Sequence, residues 1–319
     1  MNDSPVAEAQ MEELVYALAA SPNFSQDQII FAARPSGLYR SDDGGQSWRY
    51  SLDSLNLSEP LPTTTVALSP DFSSDQTVFA GSAGGVLRST DGGQTWQVIM
   101  LPPPPPVVSG IVVSPDYTRD GVVLVGSTED GIFRSADRGS HWTIWNFGLL
   151  DLNILCLAIS PNFAEDETLY AGTDSGIFRS TNGGRAWREV NLPIGFEPVL
   201  SLALSPNYGQ DNTLFAGTES QGLFCSTDGG ESWNRLGEEA IPDIVNSIIL
   251  SPEYPAKPDL LVALSQNLRI SRDGGQSWAD WKPGLFFEQG IASVLAPQGL
   301  DPATPLHVGL VTGGVVRVE

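Results

Sequence analysis

The run Ser89-Thr90-Asp91-Gly92-Gly93-Gln94-Thr95-Trp96 recurs along the chain in six recognisable copies, and no other feature limits the fold so tightly. The copies end at Trp48, Trp96, Trp142, Trp187, Trp233 and Trp278, with gaps of 48, 46, 45, 46 and 45 residues. A second landmark precedes each copy. It reads Ser-Pro, then Asn, Asp or Glu, then an aromatic, as in Ser69-Pro70-Asp71-Phe72 and Ser205-Pro206-Asn207-Tyr208. An aspartate follows the aromatic three positions later at Asp27, Asp75, Asp120, Asp166 and Asp211. A fixed period of this length marks one structural unit repeated, each copy burying its apolar face against the next.

The strands of a unit follow from its apolar runs. In one repeat they cover residues 202–204, 213–217 and 222–224, and a fourth strand begins at Trp233. Each run is short and bounded by Gly, Pro, Asn or Ser, which is the pattern of β-strands joined by turns. Four antiparallel strands in such a period make a propeller blade. The expected fold is therefore all-β, a β-propeller of seven blades with four antiparallel strands each, in one domain over residues 1–319.

Six full repeats occupy residues 14–290, and an incomplete seventh covers residues 291–319. There Ala296-Pro297 replaces Ser-Pro, and the chain ends after a third strand. Residues 1–13 precede the first repeat. Within them, residues 5–11 are expected to supply the missing outer strand and close the ring, since an open edge leaves backbone groups unpaired. The alternative is a three-stranded last blade.

Composition narrows the function. A hydrophobic fraction of 41% suffices for a core, and 33 glycines with 24 prolines suit many turns. The 38 acids against 16 bases give a net charge of −22. That field repels phosphate backbones and anionic membrane surfaces, so neither nucleic acid nor membrane is an expected partner. No apolar run reaches the roughly 20 residues of a membrane span. The segment Met1-Asn2-Asp3-Ser4-Pro5 has neither the basic nor the apolar part of a signal peptide. A cytoplasmic location is expected, or a secreted one if a leader was removed.

Cys156 and Cys225 sit at different repeat positions and read as small buried fillers. With only two histidines, His141 and His307, there is no spaced metal or nucleophile motif. The glycines are turn glycines, with no phosphate-cradling loop. No metal and no cofactor are expected.

The recurring pattern Ser/Thr-x-Asp-x-Gly-x-Ser/Thr-Trp resembles the Asp-box, or BNR repeat. Over nearly its whole length the chain is similar to the WD40/YVTN/BNR-like propellers. These include sialidases, the sortilin lumenal domain, some xyloglucan-active glycosidases and photosystem II assembly factors. The resemblance implies the fold. It does not choose among functions, because these relatives do unrelated things.

The box residues Asp43, Asp91, Asp137, Asn182, Asp228 and Asp273, with their tryptophans, are read as structural. The carboxylate accepts backbone N–H groups of its own turn, the glycine permits positive φ, and the indole packs on the sheet. His141 in the third copy, and Asn182 with Ala186 in the fourth, are expected to weaken their turns. Arg40, Arg88, Arg134, Arg179 and Arg317 recur just before the box serine position; Cys225 and Ile270 replace them in two blades. They are expected to pair with acids at blade junctions. A cationic ligand stripe, such as the arginine patch of the assembly factors, is the alternative, and the net charge speaks against it.

Catalysis is not expected. The sialidase resemblance implies three arginines gripping a carboxylate, whereas only Arg34 is found on the face opposite the boxes. Other glycosidases need two carboxylates about 5–10 Å apart. Glu129, Asp130, Asp174 and Glu219, in loops joining second and third strands, are the candidates near the channel mouth.

Loops joining a fourth strand to the next first strand differ most between repeats, and variable loops carry function in repeat proteins. They cover residues 101–107, 145–150, 193–196 and 281–287 and are unusually apolar. Trp145, Phe147, Phe196, Trp281, Phe286 and Phe287 are the candidate anchors of a partner-binding surface. The alternative is that these rings plug the channel. The functional expectation is a non-catalytic platform for protein–protein interaction within a larger assembly. The alternative is a carbohydrate-active or carbohydrate-binding propeller using aromatics and carboxylates opposite the boxes.

Overall fold

Each repeat folds where its apolar runs end. In the computed structural model, which describes residues 13–242 and 244–319, every first-to-third strand is four to seven residues long and every outer strand two to four. Blade one consists of Ala17–Ala20, Ile30–Arg34, Gly37–Ser41 and Arg49–Tyr50, paired antiparallel in sequence order. Five further four-stranded sheets repeat this order, and a seventh contains Ile291–Leu295, Leu306–Leu310 and Val315–Val318. The chain forms the expected seven-bladed β-propeller. The predicted closing strand over residues 5–11 lies outside the described residues.

The first strands stand side by side around the axis, with that of blade seven against that of blade one. Two repeated contacts set their spacing. The first is a glycine on the second strand that admits a β-branched side chain from the next blade. Gly81, Gly126, Gly172, Gly217 and Gly309 face Val108, Ile154, Val199, Val245 and Val15. A Cβ on any of these glycines would lie 2.4–2.8 Å from the nearest atom of its partner. The second contact is a side-chain hydrogen bond to the carbonyl of that same β-branched residue. Ser109 Oγ donates to Ile154 O (2.5 Å), Ser201 Oγ to Val245 O (2.8 Å) and Asn246 Nδ2 to Ile291 O (2.9 Å). Cys156 Sγ donates to Val199 O (3.4 Å) from the equivalent place, so this thiol is part of the inter-blade bonding as well as filler. Burial pushes its pKa up to about 12, which leaves it unreactive. At the closing junction Ser293 Oγ donates to Val15 O (3.1 Å), and Val15 N donates to Leu310 O (3.0 Å).

The boxes fold as the sequence implies. Asp43 Oδ1 accepts the amides of Gln46 (3.0 Å) and Ser47 (2.9 Å), and its Oδ2 accepts the Ser47 hydroxyl (2.5 Å). Ser41 Oγ donates to the same carboxylate (2.8 Å) and accepts the Gly45 amide (2.8 Å). The third copy is not short of a bond, contrary to expectation. His141 Nδ1 takes the place of the hydroxyl, 2.6 Å from Asp137 Oδ2. The fourth copy lacks the hydroxyl bond, and its Arg185 amide turns to Asn182 O (3.4 Å). Asn182 Oδ1 accepts Ser180 Oγ (2.9 Å) and Ala186 N (2.9 Å), and Ala186 has no hydroxyl to add. Restoring the box with Asn182→Asp and Ala186→Ser is expected to stabilise the protein by about 1 kcal/mol, read from the denaturant midpoint.

The recurring arginines differ from expectation in their partners. Arg40 Nη1 donates to Gly92 O, Arg88 Nη1 to Arg138 O (2.8 Å) and Arg179 Nη1 to Gly229 O (3.1 Å). Their main acceptors are thus carbonyls in the next blade's box, whose orphan lone pairs lie within reach of a long side chain. Arg40 and Arg317 do also pair with acids, Asp42 and Glu319. At the closing junction His307 Nε2 does the arginine's work on Gly44 O (2.8 Å).

Candidate functional site

The loops after the fourth strands share a face with the turns between second and third strands. Gly131 N donates to Leu152 O (2.9 Å), Glu219 N to Pro198 O (3.0 Å) and Val311 N to Gly290 O (3.0 Å). The boxes belong to the other face, bonded to the Ser-Pro turns, as Gly92 N is to Gln76 O (2.9 Å). The two faces meet at the perimeter. There Trp187 N donates to Phe147 O (2.8 Å) and Trp187 Nε1 to Trp145 O (2.9 Å). Trp145 and Phe147 therefore stand at the outer junction of blades three and four, beside a box, and not over the channel.

The six candidate anchors separate into two groups. Phe147 and Phe196 are 80% and 84% exposed, and Phe286 is 53% exposed. Trp281 and Phe287 are only 8% and 5% exposed and pack with Leu268, Ile291 and Leu300 in the core of blades six and seven. These two are corrected from surface anchors to core residues. The Phe287 amide is also tied to Gln266 O (2.9 Å), which turns its ring inward. Trp145 is half-buried, with the Arg134 and Arg185 guanidinium groups 4.5 and 5.4 Å from its ring. One surface residue escaped the sequence reading. Leu150 is 78% exposed while its neighbour Leu149 is buried.

The candidate acids lie on the turns between second and third strands of blades three, four and five. Glu129, Asp174 and Glu219 are exposed, Asp130 is half-buried, and Asp174 accepts Asn153 Nδ2. Arg34 is buried between the Tyr39 ring (4.9 Å) and the Trp48 ring (5.7 Å), away from any open face. Among the described residues no cluster of His, Cys, Asp and Glu is placed to hold a metal, and no helix is long and apolar enough to cross a membrane.

Hollows of ligand size among the described residues include two. One, about 510 Å³, lies on the loop face of blades six and seven beside Asn246, Glu288, Ile291 and Val311. The other, about 540 Å³, runs along the perimeter between blades four and five and is walled by Phe147, Arg179, Thr181, Asn182, Trp187 and Arg188.

Residues 87–98 and 224–235 match the BNR/Asp-box repeat. The chain is a seven-bladed Asp-box propeller. No curated protein matches its sequence. Among solved structures the propeller is similar to YCF48 bound to D1 peptide, at 17% identity and a TM-score of 0.72, over 97% of this chain and 94% of that one. YCF48 from Cyanidioschyzon merolae aligns at 14% identity with a TM-score of 0.68, over 96% and 95%. The GH74 xyloglucanase from Xanthomonas campestris aligns at 18% identity with a TM-score of 0.73, covering 96% of this chain. The propeller spans 52% of that xyloglucanase, and 38% of the extracellular domain of a putative one component system from B. thetaiotaomicron. Identities this low speak for the fold.

Proposed function

We propose that this propeller is a non-catalytic binding platform for a protein partner within a larger assembly. The observation that carries the reading is the exposure of Phe147, Leu150 and Phe196 on the loops that follow the fourth strands of neighbouring blades three and four. Large apolar side chains held this far into water on ordered loops mark an interaction surface. Similarity to YCF48 over nearly the full length of both chains, one of them solved with a peptide bound, supports the same reading.

The test is Phe147→Ser, Leu150→Ser and Phe196→Ser combined in one variant. Since all three side chains are exposed, its unfolding midpoint is expected to change by about 0.5 kcal/mol per site or less. Its affinity for the partner retained by the intact protein is expected to fall at least tenfold, because anchor truncations typically cost about 2 kcal/mol. Unchanged retention by the folded variant would remove the platform from this surface.

A further inference from the structure

Blades one and four carry the same arginine pair in different company. In blade one, Arg40 and Arg49 lie directly opposite on adjacent strands, and Asp42 binds both, at 2.6 and 2.9 Å. In blade four, Arg179 and Arg188 lie directly opposite in the same register. There Thr181 stands where blade one has Asp42, and Asn182 where it has Asp43. Among the described residues neither Arg179 nor Arg188 has an ion pair. Arg179 bonds Gly229 O (3.1 Å) and lies over the Tyr170 ring (5.8 Å), both neutral partners. Like charges directly opposite across strands destabilise each other, and blade four leaves that repulsion unrelieved.

Both arginines and both neutral replacements line the 540 Å³ perimeter groove, together with Phe147 and Trp187. Glu189 and Glu231 also line it, and neither forms an ion pair among the described residues. In a chain of net charge −22, a guanidinium pair without its carboxylate is the local exception. The same net charge disfavours a second copy of this chain as the occupant.

Resting on the platform reading, we propose that the blade-four groove docks an acidic, apolar segment of the protein partner. One carboxylate of that segment takes the place that Asp42 fills in blade one, bridging Arg179 and Arg188. An apolar neighbour packs on the exposed ring of Phe147. Guanidinium forks match carboxylates closely, and such charge-assisted bonds are the strong ones.

The decisive variant is Thr181→Asp, which gives blade four its own internal carboxylate. It is expected to fold with an unfolding midpoint at or above that of the parent, since blade one already contains the arrangement. Arg188→Gln serves as the second variant. The probe is a fluorescent decapeptide of alternating glutamate and leucine, compared with the same peptide carrying glutamine, in low salt. The parent is expected to bind the glutamate peptide about tenfold more tightly than the glutamine peptide. Both variants are expected to lose that preference. Equal or undetectable binding of the two peptides by the parent overturns the proposal, as does an undiminished preference in folded Thr181→Asp. If Thr181→Asp keeps the native partner while the Phe147/Leu150/Phe196 variant loses it, the platform stands and the carboxylate site falls.

Discussion

Gly309→Val is expected to be among the most damaging single substitutions in the propeller, costing about 3–5 kcal/mol. Gly309 lies on the second strand of blade seven, where a Cβ would sit 2.4 Å from Ser293 Oγ and 2.8 Å from Val15 Cγ1. Neither neighbour is free to retreat. Val15 is held at both its amide and its carbonyl, by Leu310 O and Ser293 Oγ. Overpacking of this kind costs about 1–3 kcal/mol, and two displaced hydrogen bonds add about 1 kcal/mol each. Set against a typical total stability of about 5–15 kcal/mol, the loss is large. The equivalent positions of blades one and six hold Ala33 and Ala263, so Gly309→Ala is the milder control. Denaturant midpoints measure the difference. A shift below about 0.5 kcal/mol for valine would mean that the ring is not closed through this contact.

The fold was legible because its landmarks are obligatory. Each of the first six blades needs the serine that caps its box and the carboxylate or amide that gathers its amides, so the residues recur wherever the geometry does. Inter-blade chemistry was less legible. Arg88 and Arg179 find carbonyls about 50 residues further on, and a carbonyl has no letter in the sequence. Cys156 read as filler alone for the same reason, since its acceptor is a main-chain oxygen. The loops show another limit. Residues 145–150 and 281–287 are alike in composition, yet Phe147 faces water and Phe287 faces the core. Which way a ring turns depends on backbone bonds such as Phe287 N to Gln266 O, and composition does not encode them. The blade-four groove was half legible. Aligning the repeats shows Thr181 in the place of Asp42, but only the strand register sets Arg188 opposite Arg179.

Stability on the acid side is expected to fall in two stages, and His307→Gln is expected to remove the first. His307 is fully buried in the closing junction, edge-on to Phe24, and Nδ1 has no hydrogen-bond partner among the described residues. Burial holds its pKa below the ordinary value of 6.5, the bond to Gly44 O acts in the other direction, and Arg317 adds to the lowering. The unfolded chain therefore binds a proton that the folded one refuses. The stability tied to neutral His307 is complete above pH 6.5 and declines as pH falls from there to the depressed folded value. The second stage comes from the boxes. Asp43, Asp228 and Asp273 are held down to about 2, chiefly by the hydroxyls of Ser47, Ser232 and Ser277. Asp137 also reaches about 2, because bonds from His141 outweigh the upward push of burial. Each of these contributes fully above the ordinary value of 3.8 and fades as pH falls through 2. Meanwhile, protonation of the many other acids relieves the repulsion of a chain at −22, which acts against both losses. Absolute midpoints mix these effects, and the difference between parent and variant separates them. Glutamine retains a donor for Gly44 O without the proton equilibrium. Denaturant midpoints of the two proteins should draw together once pH falls below 6.5. Parallel curves from pH 8 to 5 would show that His307 does not couple closure of the ring to protons.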